Sequence, residues 1–127
     1  MKIFIAEDDM NIVTIAKMAL QTLGKHDVEF AHDGAAALDC ISKGHFDLII
    51  LDEMMPKMNG RDVCDEYAKS DKAKTPVIFM SANNRDLDER DPMPPVIGFI
   101  SKPFDPMELN TQIQSLLDKH HEKKKAI

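Results

Sequence analysis

The sequence has few cysteines and no excess of positive charge. Neither Cys40 nor Cys64 has a second cysteine near it to form a zinc or redox motif, so we interpret both as buried free thiols. The formal net charge of -6 argues against sequence-independent binding of nucleic acid, which depends on clustered Lys and Arg. The one basic run, residues 123–125, belongs to a charged end segment that we interpret as a solvated tail.

Long apolar segments are also absent, both at the N-terminus and elsewhere. No segment has the length needed to cross a bilayer, and Met1-Lys2 does not begin a signal peptide. We therefore expect a cytoplasmic protein without a membrane partner. The 127 residues, of which 43% are hydrophobic and 30% charged, fit one domain, 1–127, with a charged tail at 119–127. Such a tail is also compatible with a piece of a longer chain.

Short apolar segments alternate with longer amphipathic ones. The short segments, which we predict to be strands, are Ile3–Ala6, Val28–Ala31, Leu48–Leu51, Val77–Met80 and Val96–Ile100. The first, third and fourth are almost continuously apolar, as parallel strands covered on both faces require. The apolar stripes of the predicted helices are Val13, Ala16, Leu20 and Leu23, then Ala37, Leu38 and Ile41, then Val63, Cys64 and Tyr67, and finally Leu109, Ile113, Leu116 and Leu117.

The signals at the helix ends differ in strength. Gly24 is predicted to end the first helix in a left-handed conformation, and Asp105 to cap the last helix with Pro106 at its first position. Between the fourth and fifth strands, each proline of residues 92–95 removes a backbone donor. We therefore expect the fourth helix, which should lie there, to be short or irregular.

This order of elements predicts an α/β fold. The expected architecture is a doubly wound, five-stranded parallel sheet of flavodoxin-like order 2-1-3-4-5, with its site outside the carboxyl ends of the strands. Polar residues occur at those ends, namely Glu7, Asp8, Asp52, Ser81 and Lys102. We expect them to converge, with the three acids in one shallow pocket.

Three carboxylates in one pocket are costly unless some of them stay protonated or a cation binds, and a cation is the natural remedy. Two like charges about 4 Å apart repel by about 4 kcal/mol at an effective dielectric of about 20. Because only oxygen ligands are present, Mg2+ is favoured over zinc, and Lys102 supplies a second positive charge. A carboxylate that attacks phosphorus forms an acyl phosphate, which needs neutralisation of the phosphoryl oxygens more than a base. The Ser81 hydroxyl is then a candidate sensor of the phosphoryl group.

The motif order resembles the receiver domains of bacterial response regulators, such as those of chemotaxis regulators, in two-component signalling. The resemblance extends from Lys2 to about Leu117. Its motifs are Glu7-Asp8-Asp9, Asp52-Glu53-Met54-Met55-Pro56, Met58-Asn59-Gly60, Met80-Ser81-Ala82 and Lys102-Pro103-Phe104. It implies a phosphorylation-dependent switch whose donor is a sensor histidine kinase or phosphotransfer protein and whose target is an unknown downstream protein. Self-dephosphorylation would be slow at most, so the domain is not a conventional enzyme.

The resemblance also assigns roles in the pocket. Asp52 would be the phosphoacceptor, Asp8 a direct metal ligand, Glu7 a ligand acting through water, and the Met54 carbonyl a backbone ligand. Lys102 would assist the transfer.

The switch elements follow from the same resemblance. Ser81 would act together with Phe99, the switch aromatic, which lacks a hydroxyl. Asp9 would cap the first helix, and the Lys102–Pro103 bond would be cis.

Two departures from the family pattern carry predictions. Residues 92–95 replace the usual fourth helix, so we expect the common dimer geometry to be absent; a dimer formed through that face only after phosphorylation would contradict this. Met54 offers nothing to orient a water, whereas Asn83 could, so we expect slow loss of the phosphoryl group.

Alternative interpretations exist. Taken singly, Asp52 could start a turn, and Glu7, Asp8 and Asp9 could be an acidic helix N-terminus. An aspartyl-phosphate phosphatase would need an acid at position 54, where Met54 stands. A pseudo-receiver that never takes a phosphoryl group is the third alternative, and the intact Asp52 and Lys102 argue against it.

Overall fold

The computed structural model describes residues 1–70, 74–82 and 95–125, without the side chains of 123–125. Its strands are Lys2–Ala6 (β1), Asp27–Ala31 (β2), Leu48–Asp52 (β3), Val77–Ser81 (β4) and Val96–Ser101 (β5). Its helices are Met10–Lys17 (α1), which continues into the π-helical segment Met18–Leu23, then Gly34–Lys43 (α2), Gly60–Ala68 (α3) and Leu109–Lys125 (α4). Among the described residues, no helix is long and apolar enough to cross a membrane. The helix expected between β4 and β5 falls on residues 83–94, outside the described residues.

The strands form a single sheet of parallel pairs. Its order is β2-β1-β3-β4-β5, which confirms the doubly wound topology predicted from the sequence. Every residue of β3 and β4 is buried, which explains why these segments are apolar throughout rather than alternating. The carboxyl ends of β1, β3, β4 and β5 therefore lie side by side at one edge.

Hydrophobic layers cover both faces of the sheet. Residues of β3 alternate between them: Leu48 and Ile50 pack with residues of α1 and α4, whereas Ile49 and Leu51 pack with residues of α2 and α3. The buried positions of α4 are Leu109, Ile113 and Leu117, while Leu116 is partly buried against the same layer. The predicted stripe of the last helix is thus confirmed.

Side-chain caps fix where the helices begin. Asp9 accepts a hydrogen bond from the amide of Asn11 at 2.9 Å, so α1 starts directly after the first acidic motif. Asp105 accepts from the amide of Met107 at 2.8 Å, and its carbonyl accepts from the amide of Leu109 at 3.0 Å. Asp9 therefore caps α1 as predicted, whereas Asp105 closes the turn at residues 106–108 and α4 begins at Leu109 rather than at Pro106.

The end of the first helix differs from the prediction. Gly24 has φ -90°, and Lys25 is the left-handed residue with φ 57°, while Leu23 is 48% exposed. The helix widens because the Gly24 amide donates to the carbonyl of Ala19, which also accepts from the side chain of Asn110 at 2.8 Å. A Cβ at Gly24 would collide with Asn110 Oδ1, so close approach, rather than a left-handed turn, is the reason for glycine.

The cysteines are both free thiols. Cys64 is buried, and burial raises its pKa to about 11. Cys40 is only half-buried, and burial followed by the nearby Asp39 and Glu29 raises its pKa. The interpretation of buried thiols is therefore correct for Cys64 and too strong for Cys40, which lies nearer the surface of α2.

Candidate functional site

The carboxyl ends of β1, β3 and β5 bring three charged side chains into contact. The Lys102 ammonium lies 2.8 Å from Glu7 Oε1 and 2.9 Å from Asp52 Oδ2. Because the strand order places β1 beside β3, residues far apart in sequence become neighbours at this edge. The Lys102–Pro103 bond that follows is cis, as the resemblance implied.

The acids of the pocket differ sharply in burial. Glu7 is 0% exposed and Asp52 is 2% exposed, whereas Asp8 is exposed at the mouth. Carboxylate oxygens of all three lie within 4.8 Å of one another. One Lys102 ammonium faces this group, so full ionisation of the acids would leave an excess of negative charge.

Backbone amides hold the two buried carboxyl groups in place. The amides of Asp8 and Asp9 donate to Glu7 Oε2 at 2.9 and 3.3 Å, and the amide of Met54 donates to Asp52 Oδ1 at 3.2 Å. The sequence does not predict these contacts, although an acid placed shortly before a helix N-terminus, as Glu7 is before α1, is a usable signal for those of Glu7.

The electrostatics of the pocket favour a proton on Glu7. The pKa of Glu7 is raised to about 8, chiefly by burial and then by the hydrogen bond and charge of Asp52, while Lys102 opposes the shift. Burial would lower the pKa of Lys102, but the hydrogen bonds and charges of Glu7 and Asp52 outweigh it, so the pKa is raised. Lys102 is therefore a fixed cation.

Ser81 and Phe99 lie on the strands beside the pocket. Ser81 ends β4 and is 4% exposed, and its carbonyl accepts a hydrogen bond from the Lys102 amide at 2.8 Å. The ring of Phe99 stacks on the ring of Phe79 with centroids 6.0 Å apart. The two predicted switch residues thus lie on β4 and β5, the strands whose carboxyl ends adjoin Lys102.

Met54 lies at the mouth of the pocket, where its side chain is 79% exposed. It is an apolar surface directly beside Asp52, as expected from its position two residues later in the chain. Asn83, which was predicted to be able to orient a water where Met54 cannot, lies outside the described residues.

The Asn59-Gly60 motif packs the start of α3 against the end of β3. Asn59 caps α3 by accepting from the Asp62 amide at 2.9 Å, and the Gly60 amide donates to the Glu53 carbonyl at 3.1 Å. A Cβ at Gly60 would collide with the carbonyl oxygen of Asp52. Glycine is therefore required here because the helix backbone touches the strand.

A contact near the pocket was not predicted from the sequence. Arg61 Nε donates to Glu53 Oε2 at 3.2 Å, and the guanidinium carbon lies 5.2 Å from the centre of the Phe79 ring. No local pattern connects Glu53, Arg61 and Phe79, because they lie on the loop after β3, on α3 and on β4.

The donor set fits a hard divalent cation. The acids Glu7, Asp8 and Asp52 offer oxygen atoms only, with one exposed group through which an ion can enter. Burial, followed by the hydrogen bond and charge of Asp52, raises the pKa of Glu7, so a further cation would be needed to keep this carboxyl group ionised. These residues therefore suit Mg2+ binding, which would compensate the remaining charge.

Comparison with known proteins places this geometry in a family. The response regulator receiver domain model matches residues 3–114. The chain is 32% identical over 123 residues to the alkaline phosphatase synthesis transcriptional regulatory protein PhoP of Bacillus subtilis, covering 91% of this chain and 48% of PhoP. It is 34% identical over 127 residues to CpxR of Escherichia coli, covering 94% of this chain and 50% of CpxR. The chain thus spans about half the length of these relatives.

Solved structures agree with this placement. The chemotaxis response regulator CheY4 of Vibrio cholerae matches with a TM-score of 0.81 at 28% identity, over 91% of this chain and 97% of CheY4. The response regulator TrrA of Thermotoga maritima, in complex with Mg2+ and beryllofluoride, matches with a TM-score of 0.76 at 28% identity over 91% of this chain and 97% of TrrA. This chain therefore belongs to the response regulator receiver domain family, whose members act in phosphorylation-dependent two-component signalling rather than as conventional enzymes.

Proposed function

We propose that this chain is a signalling switch that accepts a phosphoryl group on Asp52 in a Mg2+-dependent reaction. The observation that carries the proposal is the Lys102 ammonium held 2.9 Å from Asp52 in a pocket that contains two further acids. A buried carboxylate that faces a fixed cation and a cluster of oxygen ligands suits a nucleophile whose product carries more negative charge.

The transfer itself needs little acid-base chemistry. A carboxylate oxygen of Asp52 attacks phosphorus and forms a P–O bond, while the P–N bond of a phosphohistidine donor breaks and its electron pair leaves with the imidazole nitrogen. Lys102 donates a hydrogen bond to a phosphoryl oxygen, and the Met54 amide keeps the carboxylate oriented through Oδ1. The catalytic roles proposed for Asp52 and Lys102 therefore follow from their contacts.

Glu7, Asp8, Asp52 and the backbone carbonyl of Met54 would hold the metal ion. Mg2+ bound there would neutralise charge on the phosphoryl oxygens during transfer. Glu7 would give up its proton as it becomes a ligand acting through water, and the exposed Asp8 would be the direct ligand. The binding of Mg2+ by TrrA supports this assignment.

Ser81 and Phe99 would convert phosphorylation into a change of shape. The Ser81 hydroxyl would donate a hydrogen bond to a phosphoryl oxygen, and the end of β4 would move with it. Phe99, on the adjacent strand, would change its packing in response. Because Phe99 has no hydroxyl group, a partner would sense this change through packing alone.

The partners follow from this chemistry and from the family. A sensor histidine kinase or a phosphotransfer protein would donate the phosphoryl group, in the cytoplasm, and an unknown downstream protein would read the switch. PhoP and CpxR are transcriptional regulators about twice as long as this chain. In a longer protein of that kind, the output would come from an attached effector region rather than from this acidic domain itself.

The test is phosphorylation followed by intact mass. Protein incubated with Mg2+ and a small-molecule phosphodonor should gain one phosphoryl group. Asp52→Asn, which keeps the shape but removes the nucleophile, should gain none, and a chelator should prevent adduct formation in the wild type. The absence of an adduct with every donor would overturn the proposal in favour of a pseudo-receiver.

Met54→Asn is expected to shorten the lifetime of the phosphoryl group several-fold. An amide at this exposed position can orient an attacking water, and one net hydrogen bond of about 1 kcal/mol corresponds to a rate change of about five-fold. The decay of the adduct is followed by intact mass after removal of the donor. Met107→Asn is the control, since Met107 is 73% exposed on the approach to α4. An unchanged decay rate in Met54→Asn would contradict this assignment.

A further inference from the structure

A row of side chains lies directly beneath the acidic pocket. Leu51, Phe79 and Phe99 are register partners on β3, β4 and β5, and they share the face of the sheet that α2 and α3 cover. Leu51 immediately precedes Asp52, and Phe79 lies two residues before Ser81. A displacement of Asp52 or Ser81 therefore has to pass along only one or two residues of its strand to reach this row.

Arg61 attaches this row to the loop that follows Asp52. Its guanidinium carbon lies 5.2 Å from the centre of the Phe79 ring, and its Nε donates to Glu53 Oε2 at 3.2 Å. Phe79 in turn stacks on Phe99 with an interplanar angle of 25°. Glu53, Arg61, Phe79 and Phe99 thus form a continuous chain of contacts, which we name the arginine bridge.

The ion pair of the arginine bridge is incompletely bonded. Glu53 Oε1 and Arg61 Nη2 are buried, and neither has a hydrogen-bond partner among the described residues. Arginine and carboxylate commonly pair through two parallel bonds, but the structure shows one. Because one buried donor and one buried acceptor of the pair are unused, a second hydrogen-bonded arrangement of Arg61 and Glu53 is available. The pair is therefore suited to rearrange when the loop after β3 shifts.

We propose that Arg61 is a positioning residue that couples the loop following Asp52 to Phe99. When the loop shifts, Glu53 moves with it, the Arg61–Glu53 pair rearranges, and the guanidinium changes its position on Phe79, against which Phe99 packs. This route acts in addition to the one through Ser81, and it rests on the function proposed above. Arg61 touches neither Asp52 nor Lys102 in any described contact, so its removal should leave phosphorylation intact.

The test compares loading of the site with the response of Phe99. The NMR signal of the Phe99 ring is recorded in protein with isotope-labelled phenylalanine, assigned through Phe99→Leu, before and after addition of Mg2+ and beryllofluoride. Loading is measured separately as the phosphoryl adduct by intact mass. In Arg61→Met, which covers Phe79 without a charge, and in Glu53→Gln, we expect the Phe99 shift to fall at least about two-fold while the adduct still forms. Arg61→Lys, which keeps a cation over the ring, should recover part of the shift.

Lys69→Met is the matched control. Lys69 follows the same helix and pairs with Glu66 at 2.8 Å, but on the exposed surface. Its loss should leave the Phe99 shift unchanged. If Arg61→Met and Glu53→Gln keep the full Phe99 shift, with or without a lower melting temperature, the arginine bridge contributes only to packing and the proposal is overturned. A wild type that loads without any Phe99 shift would overturn it too, whereas a wild type that forms no adduct would overturn the proposed function itself.

Discussion

Replacing Lys102 with methionine is expected to slow phosphoryl transfer to Asp52 by about 100- to 1000-fold, the range found when one preorganised electrostatic contact is removed from an active site. The ammonium lies 2.9 Å from Asp52 and 2.8 Å from Glu7, and its side chain is only 14% exposed, so water cannot replace it easily. In Lys102→Met two buried acids lose their shared cation. The negative charge on the phosphoryl oxygens during transfer to Asp52 then lacks the compensation that Lys102 provides, so the transition state is less stabilised.

The rate of adduct formation by intact mass, at saturating Mg2+ and fixed donor, measures this effect. Lys102→Arg keeps the charge in a larger side chain and should be slowed less. Lys43→Met is the control, because Lys43 also pairs with an acid, Asp39 at 2.9 Å, but with a side chain that is 76% exposed. A Lys102→Met rate within about three-fold of the wild type would contradict an electrostatic role for this lysine.

The metal-free protein is expected to lose stability as the pH rises from about 5 to about 8. The pKa of Glu7 is raised from 4.5 to about 8 in the folded state, chiefly by burial. Across this window the unfolded chain releases the Glu7 proton while the folded protein keeps it. The unfolded state therefore binds fewer protons, and the free energy of unfolding falls with rising pH, on the order of a few kcal/mol. Because a metal ion would compensate an ionised Glu7, stabilisation by Mg2+ should be greater at pH 8 than at pH 5.

Urea unfolding at several pH values, with a chelator and then with Mg2+, measures both effects. Glu7→Gln cannot titrate, so it should lose most of the slope and be more stable than the wild type at pH 8 without metal. Glu29→Gln is the control, since Glu29 is an exposed acid that pairs with Lys2 at 3.6 Å. A wild-type slope that persists in Glu7→Gln would assign the pH dependence to other groups.

The sequence predicts the position of the site better than its internal chemistry. Continuous apolar strands fixed the parallel sheet, and a parallel sheet requires that Glu7, Asp52 and Lys102 meet at one edge. The burial of Glu7 beside an exposed Asp8 could not be predicted, because it depends on which way the chain turns after β1. The amides that hold these carboxyl groups follow from that turn as well.

Long-range contacts account for the predictions that failed. Periodicity placed Leu23 on the inner stripe of the first helix. In the structure the side chain of Asn110 on α4 donates to the Ala19 carbonyl of that helix, and Leu23 faces outward. The contact of Arg61 with Phe79 joins elements that no local pattern relates. Local rules specify where a helix starts, whereas the partner that reshapes its end is known only after folding.

The ion pair between Lys102 and Glu7 joins residues 95 positions apart in the chain. During synthesis the ribosome therefore releases Glu7 and Asp52 well before it releases Lys102, the cation that pairs with them. A nascent chain that has completed β3 but not β5 carries Glu7 and Asp52 without the ammonium group that pairs with them in the folded domain. Charge compensation in the pocket therefore depends on the fifth strand, because Lys102 reaches Glu7 and Asp52 only when β5 has joined the sheet.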